Sequence, residues 1–201
     1  MTSSAQSQAC GINAGPGRPR EFDPGVALAT ALDLFWRQGY EATSLEELTL
    51  AMGISRSSFY GCFGSKHGVL LAAIRRYSDE KLAALAAAAD GEENPREAVR
   101  IMIAAIADVA GGPKGCFLVN CIAELAPHDP EVAEVSRRHL DRIEGLIADR
   151  LARRLDPATA ADRARVLLSL ALGTTMLRKA GMAEPRIDGL LAQIDPLLPQ
   201  P

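Results

Sequence analysis

Aromatic residues make up only 4% of this 201-residue chain. Sheets use aromatic and β-branched side chains to fill their pleated faces, so this scarcity weighs against a β-rich fold. Ala and Leu are abundant instead, and both lose little entropy in a helix. No stretch approaches the roughly 18 consecutive apolar residues of a membrane span, and no segment reads as a secretory leader. Cys10, Cys62, Cys116 and Cys121 show no disulfide-framework spacing, which points to a reducing cytoplasm. His67, His128 and His139 are scattered, and no HExxH, P-loop, GxGxxG or nucleophile signature occurs. The sequence therefore predicts no enzyme, no cofactor and no metal; a helical enzyme stays on the page only as a less favoured alternative.

A net charge of −3 excludes a broadly basic nucleic-acid binder, but not a local one. The first 76 residues carry seven Lys and Arg against six Asp and Glu, and the remainder carries fifteen against nineteen. Phosphate binding needs a positive patch rather than a basic whole, and the N-terminal part permits one.

With 48% hydrophobic residues the chain can bury a sizeable core, and its periodicity is helical throughout. Residues 1–17 are Ser, Gln, Gly and Ala without periodicity and read as a disordered arm, followed by a short basic extension with Arg18 and Arg20. Asp23 and Pro24 then open a first helix with an apolar stripe of Leu28, Ala31, Leu32, Leu34 and Phe35, stopped by Gly39. Ser44 with Glu47 forms a capping box for a second, Ser55 caps a third to about Phe63, and Ser65 caps a fourth to about Ala89. A fifth runs from Asn94-Pro95 to about Ala110, before a Gly111-Gly112-Pro113 break. Further helices are predicted over 115–126, 131–155, 157–180 and 186–195, giving nine helices and no strand.

Thr43–Phe63 carries the first functional signal. Two short capped helices meet at Met52-Gly53-Ile54-Ser55, where Gly53 tolerates positive φ and Ile54 can plug the angle; Leu48, Ala51 and Phe59 suit the contacts beneath. That is the pattern of a helix-turn-helix, whose second helix enters the major groove. Its outward positions offer Arg56 for bidentate pairing with guanine, Ser57 and Ser58 as small hydroxyls that let the backbone approach, and Tyr60 for a phosphate. Thr43, Ser44, Ser55 and Lys66 lie at helix starts, where free N–H groups favour phosphate.

The stretch Gly17–Tyr77 resembles the DNA-binding region of the TetR/AcrR family. The resemblance rests on Gly17-Arg18-Pro19-Arg20, Ala31–Phe35 with Gly39-Tyr40, Thr43–Leu48, Ala51–Arg56, Phe59-Tyr60 and Phe63–Lys66, in the family's order. It implies a homodimer, a recognition helix at about 55–61 and a divergent effector-binding region. It also implies phosphate contacts by Thr43, Tyr60 and Lys66, with Arg56, Ser57 and Ser58 near base edges. Cys62 and His67 depart from the family's usual polar and acidic choices at their positions.

The expected organisation is a DNA-binding domain over 18–65 and a ligand-binding and dimerisation domain over 66–201. One short helix discriminates too few bases, because a good contact contributes about 1–3 kcal/mol while specific binding needs an excess of roughly 4–10 kcal/mol. Two copies on a palindromic operator supply the rest. Val166, Leu167, Leu170, Ala171 and Thr174, with Leu190, Leu191 and Ile194, are the candidate dimer surface in the last two helices. Asn120 and Glu124, four apart on helix 115–126, are candidate polar anchors of an effector pocket completed by Met102, Ile106, Phe117, Cys121, His139, Ile143, Leu172 and Met176. The function this predicts is a repressor released from operator DNA by a small molecule. An alternative is thiol-based sensing through Cys116 or Cys121, with Cys116 near a helix start beside Lys114.

Overall fold

Asp23 does what its sequence neighbourhood dictates: its carboxylate accepts the N–H groups of Gly25 and Val26, and Pro24 follows at the first helical position. The same logic, repeated along the chain, gives an all-α fold. The computed structural model describes residues 22–107 and 114–200, and among these it forms nine α-helices, one 3₁₀ segment and no strand. In chain order they are α1 (Pro24–Gln38), α2 (Leu45–Met52), α3 (Arg56–Phe63), α4 (Lys66–Ala88), α5 (Pro95–Ala107), α6 (Phe117–Leu125), α7 (Pro130–Leu151), α8 (Pro157–Lys179) and α9 (Glu184–Leu191). A 3₁₀ turn over Ala192–Leu197 follows. The 1–17 arm, Arg18, Arg20 and the Gly111-Gly112-Pro113 break lie outside the described residues.

Two hydrophobic cores stack along α4. The first joins α1, α2, α3, the N-terminal half of α4 and α6, around Leu28, Phe35, Leu48, Phe59, Leu70 and Ile74. The second joins the C-terminal half of α4 with α5, α7 and α8, around Leu85, Ile103, Ile147, Leu151 and Leu167. Phe59 and Leu48 are fully buried, and each such side chain contributes about 1.5–3 kcal/mol. α4 therefore belongs to both cores, and α6, far along in sequence, packs into the first.

Three sequence readings change here. The last helix, expected over 186–195, stops at Leu191 and tightens into the 3₁₀ turn, which contains Pro196, a residue that has no N–H to continue an α-helical ladder. Ala51 is exposed rather than a contact beneath the turn. Of the expected dimer face, Leu167, Ala171 and Ile194 are buried in the second core and Thr174 is buried beside them, because that side of α8 packs against α5 and α7.

Candidate DNA interface and effector cavity

The turn between α2 and α3 is built on Gly53, whose backbone sits at φ 66° and ψ 32°, the left-handed region that favours glycine. The N–H of Ile54 donates back to the Thr49 carbonyl at 3.1 Å and closes the turn. Ser44 and Glu47 complete their capping box, and the Ser44 backbone N–H and hydroxyl hold the Glu47 carboxyl below its usual range. Phe59 anchors α3 from below, edge-on to Tyr60 at 5.6 Å and near Phe63 at 5.9 Å. Gly68 lets α4 close on α3: a Cβ there would lie 2.3 Å from the Phe63 carbonyl oxygen. Sequence reading passed over Gly68, since a glycine in a helical pattern carries no sign of what approaches it.

With Phe59, Cys62 and Phe63 turned inward, Arg56, Ser57, Tyr60 and Gly61 stand exposed on the opposite edge. The Arg56 guanidinium donates to the Glu46 carboxylate at 2.7 Å. The Ser55 hydroxyl accepts the Ser58 N–H at 3.1 Å and meets the Ser57 and Ser58 hydroxyls, each at 2.9 Å. Ser55 thus caps α3. The Lys66 ammonium sits 4.1 Å from the Tyr40 ring centre. Ser44 is exposed at the start of α2. Thr43 is different: it is fully buried, with its hydroxyl donating to the Gly39 carbonyl at 2.6 Å, so it is no free phosphate donor. Leu50, 84% exposed beside this edge, was not anticipated, because an apolar residue mid-helix reads as core.

Below the head, a cavity of about 100 Å³ lies between five helical segments. α4 contributes Tyr77, Lys81 and Leu85, one residue per turn. Ile106 comes from α5, Leu118 from α6, His139 and Ile143 from α7, and Leu172 from α8; Cys116 borders it just before α6. His139 is buried, its Nδ1 2.7 Å from the Ser78 hydroxyl. Burial, aided by the nearby Arg142 charge, pushes its pKa down to about 4, so the ring is neutral near pH 7.

Of the residues singled out from sequence, Ile106, His139, Ile143 and Leu172 come together around this cavity. The others go elsewhere. Met102 is buried in the second core, and Met176 points outward, 45% exposed. Phe117 stacks in the first core against Trp36 and Tyr77, and Cys121 is buried there too, where burial raises its thiol to about 12. Asn120 and Glu124 do share a face, but not the one toward the cavity. Asn120 donates to the Lys114 carbonyl and accepts from Lys179 on α8. The Glu124 carboxylate accepts the N–H groups of Tyr40 and Glu41, at 3.2 and 2.9 Å. Periodicity gave their shared face and could not give its direction. The missed lining of α4, with Tyr77, Lys81 and Leu85 spaced by four, was detectable as a helical stripe.

α6 is consequently tied to α1 at both ends. At its start, the Trp36 indole N–H donates to the Gly115 carbonyl at 3.0 Å, and Lys114 pairs with Asp33 at 3.1 Å. At its end, Glu124 holds the loop after α1.

Comparison with known proteins settles the lineage. The family model described as bacterial regulatory proteins of the tetR family matches residues 27–73. YezE of Bacillus subtilis (strain 168), named as an uncharacterized HTH-type transcriptional regulator, is 33% identical over 143 residues, 70% of this chain and 74% of that protein. The chain belongs to the TetR family. Another TetR-like relative, the HTH-type transcriptional repressor BdcR of Escherichia coli (strain K12), is 31% identical over 145 residues, covering 69% and 71% of the two chains. Among solved structures, the TetR family transcriptional regulator CifR, a cysteine mutant complexed with 26-bp double-strand operator DNA, superposes with a TM-score of 0.73 at 27% identity. That match covers 90% of this chain and 97% of the other. This TetR-family chain is thus a transcriptional regulator by descent. Among its described residues, no helix is long and apolar enough to cross a membrane, and no group of three or more His, Cys, Asp or Glu is placed to hold a metal ion.

Proposed function

We propose that this TetR-family regulator is a repressor that binds a palindromic operator as a homodimer and leaves it when a small molecule enters the cavity. Residues 18–65 are the head and 66–201 the effector and dimer body. The observation that carries this reading is the position of α6: Cys116, at its start, borders the cavity, while Gly115 and Glu124 bond directly to α1 and the loop after it. A ligand that displaces α6 must move the head. A shift of head spacing by a few ångströms unseats two heads from a fixed operator period, and the differential affinity for the two spacings sets the response.

On the head, Arg56, Ser57, Ser58 and Tyr60 take the base edges and flanking phosphates, Ser44, Ser55 and Lys66 take phosphates, and Arg18 and Arg20 extend the contact. Leu50 suits a thymine methyl or a sugar. Dimerisation uses the outer face of α8 with α9. Val166, Met176 and Leu190 are exposed at 50%, 45% and 37%, and Gly173 between them permits close approach. Among the described residues, the remaining large exposed apolar side chains, Val26, Leu50 and Tyr60, are all on the head.

The test is gel retardation on the fragment upstream of the protein's own coding region. Arg56→Ala and Tyr60→Phe weaken retardation with the fold intact, and Met176→Glu gives a monomer by light scattering that no longer retards. Transcription from the same fragment falls on adding the protein; a rise makes it an activator instead.

A thiol-sensing reading has one observation in its favour. Cys116 is a free thiol at the cavity wall, 3.3 Å from the Tyr77 hydroxyl. Cys121, buried with its thiol raised, is a poor nucleophile. If operator release needs alkylation or oxidation, Cys116→Ser abolishes it and leaves DNA affinity unchanged.

A further inference from the structure

Charge inside the cavity is one-sided. Among the described residues, Lys81 is the only one of its lining that carries a full charge, and no described carboxylate lines it. The Lys81 ammonium lies 5.6 Å from the Tyr77 ring centre, and no ion pair is formed by it among the described residues. The neighbouring cation, Arg142, is already paired with Asp79 at 2.9 Å and faces solvent. His139 is neutral, so it adds no second positive charge. Ala84 and Ala105 are exposed and mark the mouth; Lys81 is half-buried, one turn from Ala84. The remaining wall is the Tyr77 ring, the Cys116 thiol and the aliphatic side chains of Leu85, Ile106, Leu118, Ile143 and Leu172.

An uncharged apolar occupant would strip water from the Lys81 ammonium and return nothing for it. A carboxylate at the mouth replaces that water with a charge-assisted bond. Size sets the other limit. An apolar cavity of about 150 Å³ accommodates benzene, so about 100 Å³ admits a body smaller than that ring, such as a short branched chain.

We infer that the cavity takes a small organic monoanion, with a carboxylate on Lys81 and a compact apolar body against Leu85, Ile106, Ile143 and Leu172. This rests on reading the cavity as the effector site and adds the chemical class of the effector.

The test uses the full chain and its single tryptophan, Trp36, which meets edge-on the ring of Tyr77, a residue of the cavity wall. Trp36 fluorescence is titrated with butyrate and isobutyrate, and with their neutral partners butyramide and isobutyramide. The wild type binds at least one carboxylate about tenfold or more tightly than its amide. Lys81→Met loses that preference while amide binding and thermal midpoint stay, and Lys81→Arg restores it. Equal binding of acid and amide by the wild type, a preference that survives Lys81→Met, or no binding by any of the four overturns the inference. Gel retardation with the same compounds separates it from the reading beneath. Release by amides as well as acids keeps the effector site and removes the anion. A Lys81-dependent acid preference without release keeps the anion and removes the repressor switch.

Discussion

The two halves of this molecule are built from different materials. All nine aromatic residues lie between Phe22 and Phe117, and the first core, which draws in Tyr77 from α4 and Phe117 from α6, uses them densely: Phe35 with Tyr40, Trp36 with Tyr77 and Phe117, and Phe59 with Phe63. The body core is aliphatic, with no aromatic member, and it borders the cavity. Rigid rings with few rotatable bonds fill the head and fix the edge that carries Arg56. Aliphatic side chains make up most of the cavity wall, beside Tyr77 of the first core, and their rotatable bonds yield more readily than packed rings. The proposed function uses this asymmetry: packed rings hold the reading edge, and the aliphatic core yields when the cavity is filled.

The comparison breaks most severely where a head ring is removed. Phe59→Ala costs about 3–5 kcal/mol and abolishes operator binding, read by chemical denaturation and gel retardation. If the head instead tolerates it with less than about 1 kcal/mol, the head is not the rigid half. The next effect belongs to the body. His139 is buried neutral, so between its ordinary pKa of 6.5 and the lowered value of about 4 the unfolded chain binds a proton that the folded chain does not. Stability is complete above about pH 6.5 and declines as pH falls, with about 3 kcal/mol gone by pH 4 from this ring alone. Denaturation curves across that range read it, and His139→Gln flattens the slope.

A smaller effect sits at the junction. Glu124→Gln weakens the two bonds to the Tyr40 and Glu41 N–H groups and costs about 1–2 kcal/mol, and it reduces effector-driven release more than DNA affinity. Measuring operator affinity with and without effector checks this; unchanged coupling would move the transmission away from α6. The smallest effect is on the reading edge. Arg56→Ala changes stability by less than about 0.5 kcal/mol, because its pair with Glu46 is solvent-exposed.

The head was legible in the sequence because its signals are local. Ser44 with Glu47, Gly53 and Ser55 specify caps and a turn by backbone chemistry alone, and helix starts at Asp23, Ser65 and Asp156 follow the same rule. The cavity was only partly legible because it depends on how helices rotate against one another. Asn120 and Glu124 have polarity that suits a pocket, yet the packing of α6 on α1 aims them at backbone N–H groups and Lys179. Thr43 has a hydroxyl that suits a phosphate, yet the Gly39 carbonyl is nearer. Lys81 carries no local signal of a site, and only the meeting of the helices around the cavity places it in that wall.

The edge from Arg56 to Tyr60 is the centre of the account, and fluorescence anisotropy of the wild type and Arg56→Ala tests it most directly. Each is titrated against the upstream fragment and against a scrambled duplex at one fixed salt concentration. Arg56→Ala is expected to lose about 1–3 kcal/mol on the upstream fragment and far less on the scrambled duplex, so that discrimination collapses. Equal losses on both duplexes, or no loss on either, would contradict the placement of the reading edge.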